Sequence, residues 1–154
     1  MFPTEIREGE DIILAALPHT GAYQDIGGTF EALAKGLMAR GLWSGSGQSF
    51  GIYHDDPAEV PAAELRAHAG HRLAPGKEVP DGFDRVVLAG GTFLVLTCKG
   101  PYSKLPEAWG HLHATALPES GRAFREGLPF ERYLTDPRDT RPEDHVTEIW
   151  VPVA

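Results

Sequence analysis

Two stretches of the chain repeat the same hydrophobic spacing. Ile26, Phe30, Leu33 and Leu37 fall at i, i+4, i+7 and i+11, and so do Leu105, Trp109, Leu112 and Ala116. That spacing lines one face of an amphipathic helix. It predicts helices over Gln24–Arg40, stopped by Gly41, and from about Lys104 to Ala116, with Pro106 in the first turn and Pro118 at the end. Between them lie short apolar or alternating runs that read as strands: Asp11–Leu17, Ser49–His54, Ala63–Leu73, Asp84–Thr97, Pro129–Leu134 and His145–Val151. The polar, Pro- and Gly-rich stretch 74–82 separates the two sets.

The two sets are copies of one unit. His19-Thr20-Gly21-Ala22-Tyr23 aligns with Cys98-Lys99-Gly100-Pro101-Tyr102, and Phe50-Gly51-Ile52-Tyr53-His54-Asp55-Asp56-Pro57 aligns with Phe130-Glu131-Arg132-Tyr133-Leu134-Thr135-Asp136-Pro137. All four tyrosines (Tyr23, Tyr53, Tyr102 and Tyr133) fall at matching positions. Each copy reads as strand, Gly-x-Tyr turn, helix, strand, Asp-Pro turn, strand. Neither half can bury its apolar stripe alone, so the expectation is one α+β domain over 1–154, with halves at about 11–73 and 84–152. Two β-α-β-β units would form a pseudo-symmetric antiparallel sheet, with both helices on one face and a groove between the halves.

Composition narrows the function classes. The chain has 154 residues, with 14 basic and 22 acidic side chains for a net charge of −8. An acidic chain without clustered Lys and Arg lacks the usual means of binding nucleic acid. No apolar run approaches the roughly 18 residues a membrane helix needs, and acids stand where a signal peptide would have a basic region. The single cysteine, Cys98, has no disulfide partner, so a cytoplasmic setting is expected. His111 and His113 sit two apart on a helix, and Asp55-Asp56-Pro57 matches a turn in the other copy. No metal site or cofactor is therefore expected.

These motifs, with Thr147-Glu148-Ile149-Trp150-Val151-Pro152 near the end, resemble the GyrI-like small-molecule-binding domains. Such modules also serve as effector-binding parts of AraC-type and MerR-type transcription regulators. The resemblance runs from about Asp11 to Pro152 and follows the motif order. It implies a duplicated β-α-β-β fold whose groove takes lipophilic, often cationic or aromatic compounds. In regulator members a glutamate at the base of that groove occupies the position of Glu131. About ten residues precede the first expected strand, too few for a helix-turn-helix, so the likeness is to members without a DNA-binding part. Those include drug-sequestering proteins, a gyrase-modulating protein and hydrolases of cyclopropane-bearing genotoxins.

The residues themselves make the same point chemically. Strand alternation puts Glu131 and Tyr133 on one face, with Phe130 and Arg132 on the other. A half-buried carboxylate needs a partner, either an arginine such as Arg132 or a cation carried by a ligand. Aromatic rings beside it would suit a lipophilic cation. The position matching Glu131 is Gly51, so one half supplies an acid and the other leaves space. The candidate ligand-binding set is Glu131, Tyr133, Tyr53, Trp109, Gly51, Tyr102, Tyr23, Glu148 and Trp150.

Two function classes follow: a binder that sequesters a small hydrophobic or cationic molecule, or a hydrolase with Glu131 as general base and Tyr133 or Tyr53 as hydrogen-bond donor. Gyrase as a protein partner is less supported, because the acids are scattered rather than in dense runs. Exposed edge strands would permit a homodimer.

Overall fold

The computed structural model describes residues 2–154. Its elements run β1 (Thr4–Gly9), β2 (Ile12–Thr20), α1 (Gly27–Ala39), β3 (Ser49–Tyr53), β4 (Arg66–Arg72), β5 (Asp84–Leu88), β6 (Gly91–Lys99), α2 (Leu105–His111), α3 (Leu117–Ser120), β7 (Phe130–Tyr133) and β8 (Val146–Pro152). All eight strands form one antiparallel sheet in the order β1-β6-β8-β7-β3-β4-β2-β5. The order reads the same from both ends once the halves are exchanged, so a pseudo-two-fold axis lies between β3 and β7. This is the expected α+β sheet, with its helices on one face and a groove between the halves.

The repeat is one strand longer than its apolar pattern suggests. The run 84–97 is two strands, because Ala89 and Gly90 interrupt it. Gly90 packs against the backbone of Gly9–Asp11 and donates its N–H to Asp11 Oδ1 at 2.7 Å. The matching first-half strand is β1. Its sequence, TEIREG, carries no apolar run because it is an edge strand whose side chains largely face water. Each half lends this strand to the other: β1 pairs with β6, and β5 pairs with β2.

The helices end as their sequences require, with one exception. Gly41, at φ +66°, closes α1 in a Schellman motif, with Leu42 N–H donating to Leu37 O at 2.9 Å and Gly41 N–H to Met38 O at 3.1 Å. The second helix does not stop at Pro118. It passes from α2 through a π-helical turn, Leu112–Ala116, into α3, and ends at Gly121 with φ +70°. In that turn Leu117 N–H donates to Leu112 O. The wider i→i+5 winding makes room for a proline ring that would collide with the i−4 carbonyl in an ordinary α-turn.

Packing explains the groove. On α1, Leu33 and Leu37 bury against Ala15 and Ala69 of β2 and β4. Ala108 of α2, with Leu112 and Ala116 of the π turn, buries against Leu94, Leu96, Ile149 and Val151 of β6 and β8. Each helix thus covers an outer pair of strands, and the central β3–β7 seam is left open between them. The sheet curls on its other face, where Phe50, Ile52, Phe93, Phe130 and Trp150 form a third core.

Candidate functional site

The floor of the groove is the β3–β7 seam, where Gly51 lies directly opposite Glu131. Alternation along β7 sends Phe130 into the far core and turns Glu131 and Tyr133 toward the helices. Glu131 is only 4% exposed. Its Oε1 accepts from the Tyr133 hydroxyl at 2.6 Å and the Tyr53 hydroxyl at 3.2 Å, and its Oε2 from Trp109 Nε1 at 2.6 Å. The two hydroxyls lie 2.9 Å apart.

The glycine opposite is a spatial requirement. A Cβ on Gly51 would come within 2.5 Å of the Tyr133 hydroxyl oxygen and 2.8 Å of that of Tyr53. The repeat thus sets an acid against a void, and two tyrosine hydroxyls use the void.

Burial pushes the Glu131 carboxyl above its ordinary range, while the donors Tyr133, Trp109 and Tyr53 pull it back. Burial and the adjacent carboxylate hold the Tyr53 and Tyr133 phenols well above their usual value, so both remain donors. Arg132, the sequence-based alternative as a charge partner, points away and donates through Nε to Gly47 O at 2.9 Å. Among the described residues, only neutral groups hydrogen-bond to Glu131.

Above this floor stands an aromatic cleft of about 1490 Å³. Tyr23 packs edge-on against Tyr53 at 4.8 Å, Phe30 against Tyr133 at 5.3 Å, and Tyr102 against Tyr133 at 5.8 Å. Burial pushes the Tyr102 phenol up to about 12. Its repeat mate Tyr23 is anchored, its hydroxyl meeting Asp55 O and Arg66 O at 2.9 Å and accepting Asp55 N–H at 2.9 Å. Five acids line the cleft, Glu31, Asp55, Asp56, Glu131 and Asp136, against Arg138 as the single Arg or Lys among the described residues.

The structure therefore gathers Glu131, Tyr133, Tyr53, Trp109, Tyr102 and Tyr23 around one space, with Gly51 beneath it. It does not bring Glu148 and Trp150 there. The pairing of Arg132 with Glu148, and of Phe130 with Trp150, places both on the far face of the sheet. There Trp150 Nε1 donates to Glu148 Oε1 at 3.1 Å, and Arg7 holds Oε2 at 2.7 Å.

Phe30 and Trp43 line the cleft without having been singled out. The alignment of Phe30 with Trp109 carried the signal for the first, and a tryptophan in a Gly/Ser-rich loop carried it for the second. Trp43 stacks on buried His71 at 3.9 Å. Ser44 N–H donates to His71 Nε2 at 3.1 Å, which leaves Nδ1 as the protonated nitrogen, facing Ser49 Oγ at 2.9 Å. A histidine locked in that tautomer cannot act as a base toward Ser49, so the pair is structural. Among the described residues, no group of three or more His, Cys, Asp or Glu is placed to hold a metal ion. No helix among them is long and apolar enough to cross a membrane.

The model of the GyrI-like small molecule binding domain matches residues 2–154. The chain belongs to the GyrI-like small-molecule-binding family. A DNA gyrase inhibitor of Edwardsiella ictaluri (strain 93-146) is 32% identical to this GyrI-like chain over 134 residues, covering 84% of this chain and 83% of the relative. Two solved structures share its fold. EcmrR in its DNA complex aligns with a TM-score of 0.81 at 18% identity, covering 99% of this chain but 57% of the EcmrR chain. SAV2435 bound to tetraphenylphosphonium aligns with a TM-score of 0.70 at 18% identity, covering 99% of this chain and 94% of SAV2435.

Proposed function

We propose that this GyrI-like domain captures a lipophilic organic cation in its aromatic cleft, with Glu131 as the counter-charge. The observation that carries the reading is a buried carboxylate held only by neutral donors at the base of an aromatic cavity. A desolvated anion without a cation is costly, and a cationic ligand would supply the missing charge. Facing aromatic rings add quadrupole attraction of about 0.5–2 kcal/mol per contact. The acidic excess along the cleft favours the same sign of ligand. The likeness to SAV2435, described with tetraphenylphosphonium bound, supports the choice of probe.

Calorimetry with tetraphenylphosphonium tests the reading. Glu131→Gln should weaken binding by about 1–3 kcal/mol, or roughly five- to 150-fold. Neutral triphenylphosphine oxide should bind both forms alike. Equal cation affinities for wild type and variant would sink the proposal. If mass spectrometry with an electrophilic substrate instead finds product that Glu131→Gln abolishes, the domain is a hydrolase.

The name of the 32%-identical relative supports a second reading, in which the domain acts on DNA gyrase. Inhibition of supercoiling by the purified protein without added ligand would favour it. Unchanged supercoiling at saturating protein would remove it.

A further inference from the structure

The far face of the sheet carries a second cavity, of about 180 Å³, that shares no residue with the cleft. Its apolar walls include Leu88, Phe93, Phe130 and Trp150, and its charged groups include Arg72 and Arg132. Both arginines are half-buried in a chain of net charge −8. Neither has a carboxylate within ion-pair distance among the described residues. Glu148, paired with Arg132 across the strands, is already engaged by Arg7 and Trp150. Glu8 and Glu10 also line the cavity, but both are exposed to solvent, which screens their charge more than that of the half-buried arginines. Burial lowers the Arg132 guanidinium from its ordinary value; the nearby Glu148 carboxylate opposes the shift, and the positive charges of Arg72 and Arg7 add to it.

The internal repeat supplies the control. Arg132 stands where the first half has Ile52, and Arg72 stands where the second half has Pro152. Both differences put a cation in place of an apolar residue, and both line the same small cavity. Glu131 against Gly51 has the same logic on the other face, one residue away along β7.

We propose that this cavity is an anion site for a small aromatic carboxylate. The two guanidinium groups would take the carboxylate through charge-assisted hydrogen bonds, and the ring would lie against the apolar walls. The volume equals about six waters at roughly 30 Å³ each, enough for a single ring and too small for a polycyclic body. The site is independent of the cation reading of the cleft, and neither depends on the other being right.

The indole N–H signals of isotope-labelled full-length protein separate the two sites, since Trp150 lines this cavity and Trp109 lines the cleft. Benzoate should shift the Trp150 signal saturably and leave Trp109 in place, and uncharged benzamide should shift neither signal. Arg132→Met and Arg72→Met should each weaken benzoate about tenfold or more. Backbone amide signals away from the cavity should stay in place in both variants and report intact folding. The Arg72 side chain makes no hydrogen bond among the described residues, so Arg72→Met keeps the test open should Arg132→Met not fold. The proposal is overturned by any of four results: no saturable shift, a benzamide response equal to that of benzoate, undiminished benzoate affinity in the variants, or a shift at Trp109 alone.

Discussion

The two halves share four strands each and start their first helix within a residue of the matching position, yet a few matched positions carry different chemistry. Gly51 faces Glu131, His71 stands where the second half has Val151, and Leu65 stands where it has His145. Tyr23 is pinned by its hydroxyl, while its mate Tyr102 lies flat on His145, with ring centroids 4.3 Å apart. Where the halves agree, the residues build the sheet and the helix packing. Where they disagree, a polar group has been buried at some cost to stability. Among these broken matches, Glu131 stands at the base of the cleft, while His71 is held in structural contacts with Ser44 and Ser49.

Forcing the halves to agree is the most direct way to break that comparison. Gly51→Glu would give both halves an acid and place a second carboxylate against the Tyr53 and Tyr133 hydroxyls. We expect a loss of about 3–5 kcal/mol in urea unfolding and abolished cation capture. An undisturbed midpoint would mean that the space over Gly51 is not needed.

His71 comes next. Burial pushes its imidazole down to about 4, and the positive Arg138 adds to this. The unfolded chain takes up the proton near 6.5, before the folded one does. The site's stability is therefore complete above about pH 6.5 and falls away as the pH drops toward 4. The full loss is about 3 kcal/mol. His71→Val, the second half's own choice, should remove this one-proton slope from the urea midpoint measured against pH.

A smaller effect of opposite sign is expected at His145. It is 5% exposed, and neither ring nitrogen has a hydrogen-bond partner among the described residues. His145→Leu copies the first half and should raise stability by about 1–2 kcal/mol, read as an increase in melting temperature. Smallest is the tyrosine pair: Tyr23→Phe should cost about 1 kcal/mol for its backbone hydrogen bonds, and Tyr102→Phe close to nothing. Equal costs would show that the two hydroxyls are held alike.

Much of this was legible in the chain. The matched tyrosines fix the repeat, the i, i+4, i+7, i+11 stripes fix both helices, and the Gly51–Glu131 mismatch selects the acid at the base of the cleft. Three things were not. Strand β1 has no apolar signature, because an edge strand facing water needs none. The reach of the second helix past Pro118 depends on a π turn, which no residue preference encodes. The exclusion of Glu148 and Trp150 from the cleft depends on cross-strand register, and alternation within one strand leaves that undetermined. The Ser44–His71–Ser49 contacts join residues up to 27 apart in sequence, beyond the reach of local pattern.

The exchanged strands have a further consequence. β1 closes onto β6 some 90 residues away, and β5 returns to β2, so each half is fastened by a piece of the other. The short β3–β7 seam is then no hinge: prying the lobes apart would require peeling both lent strands at once. A clasp closed at both ends ties the completion of either half to the other, so assembly must await the synthesis of the far half.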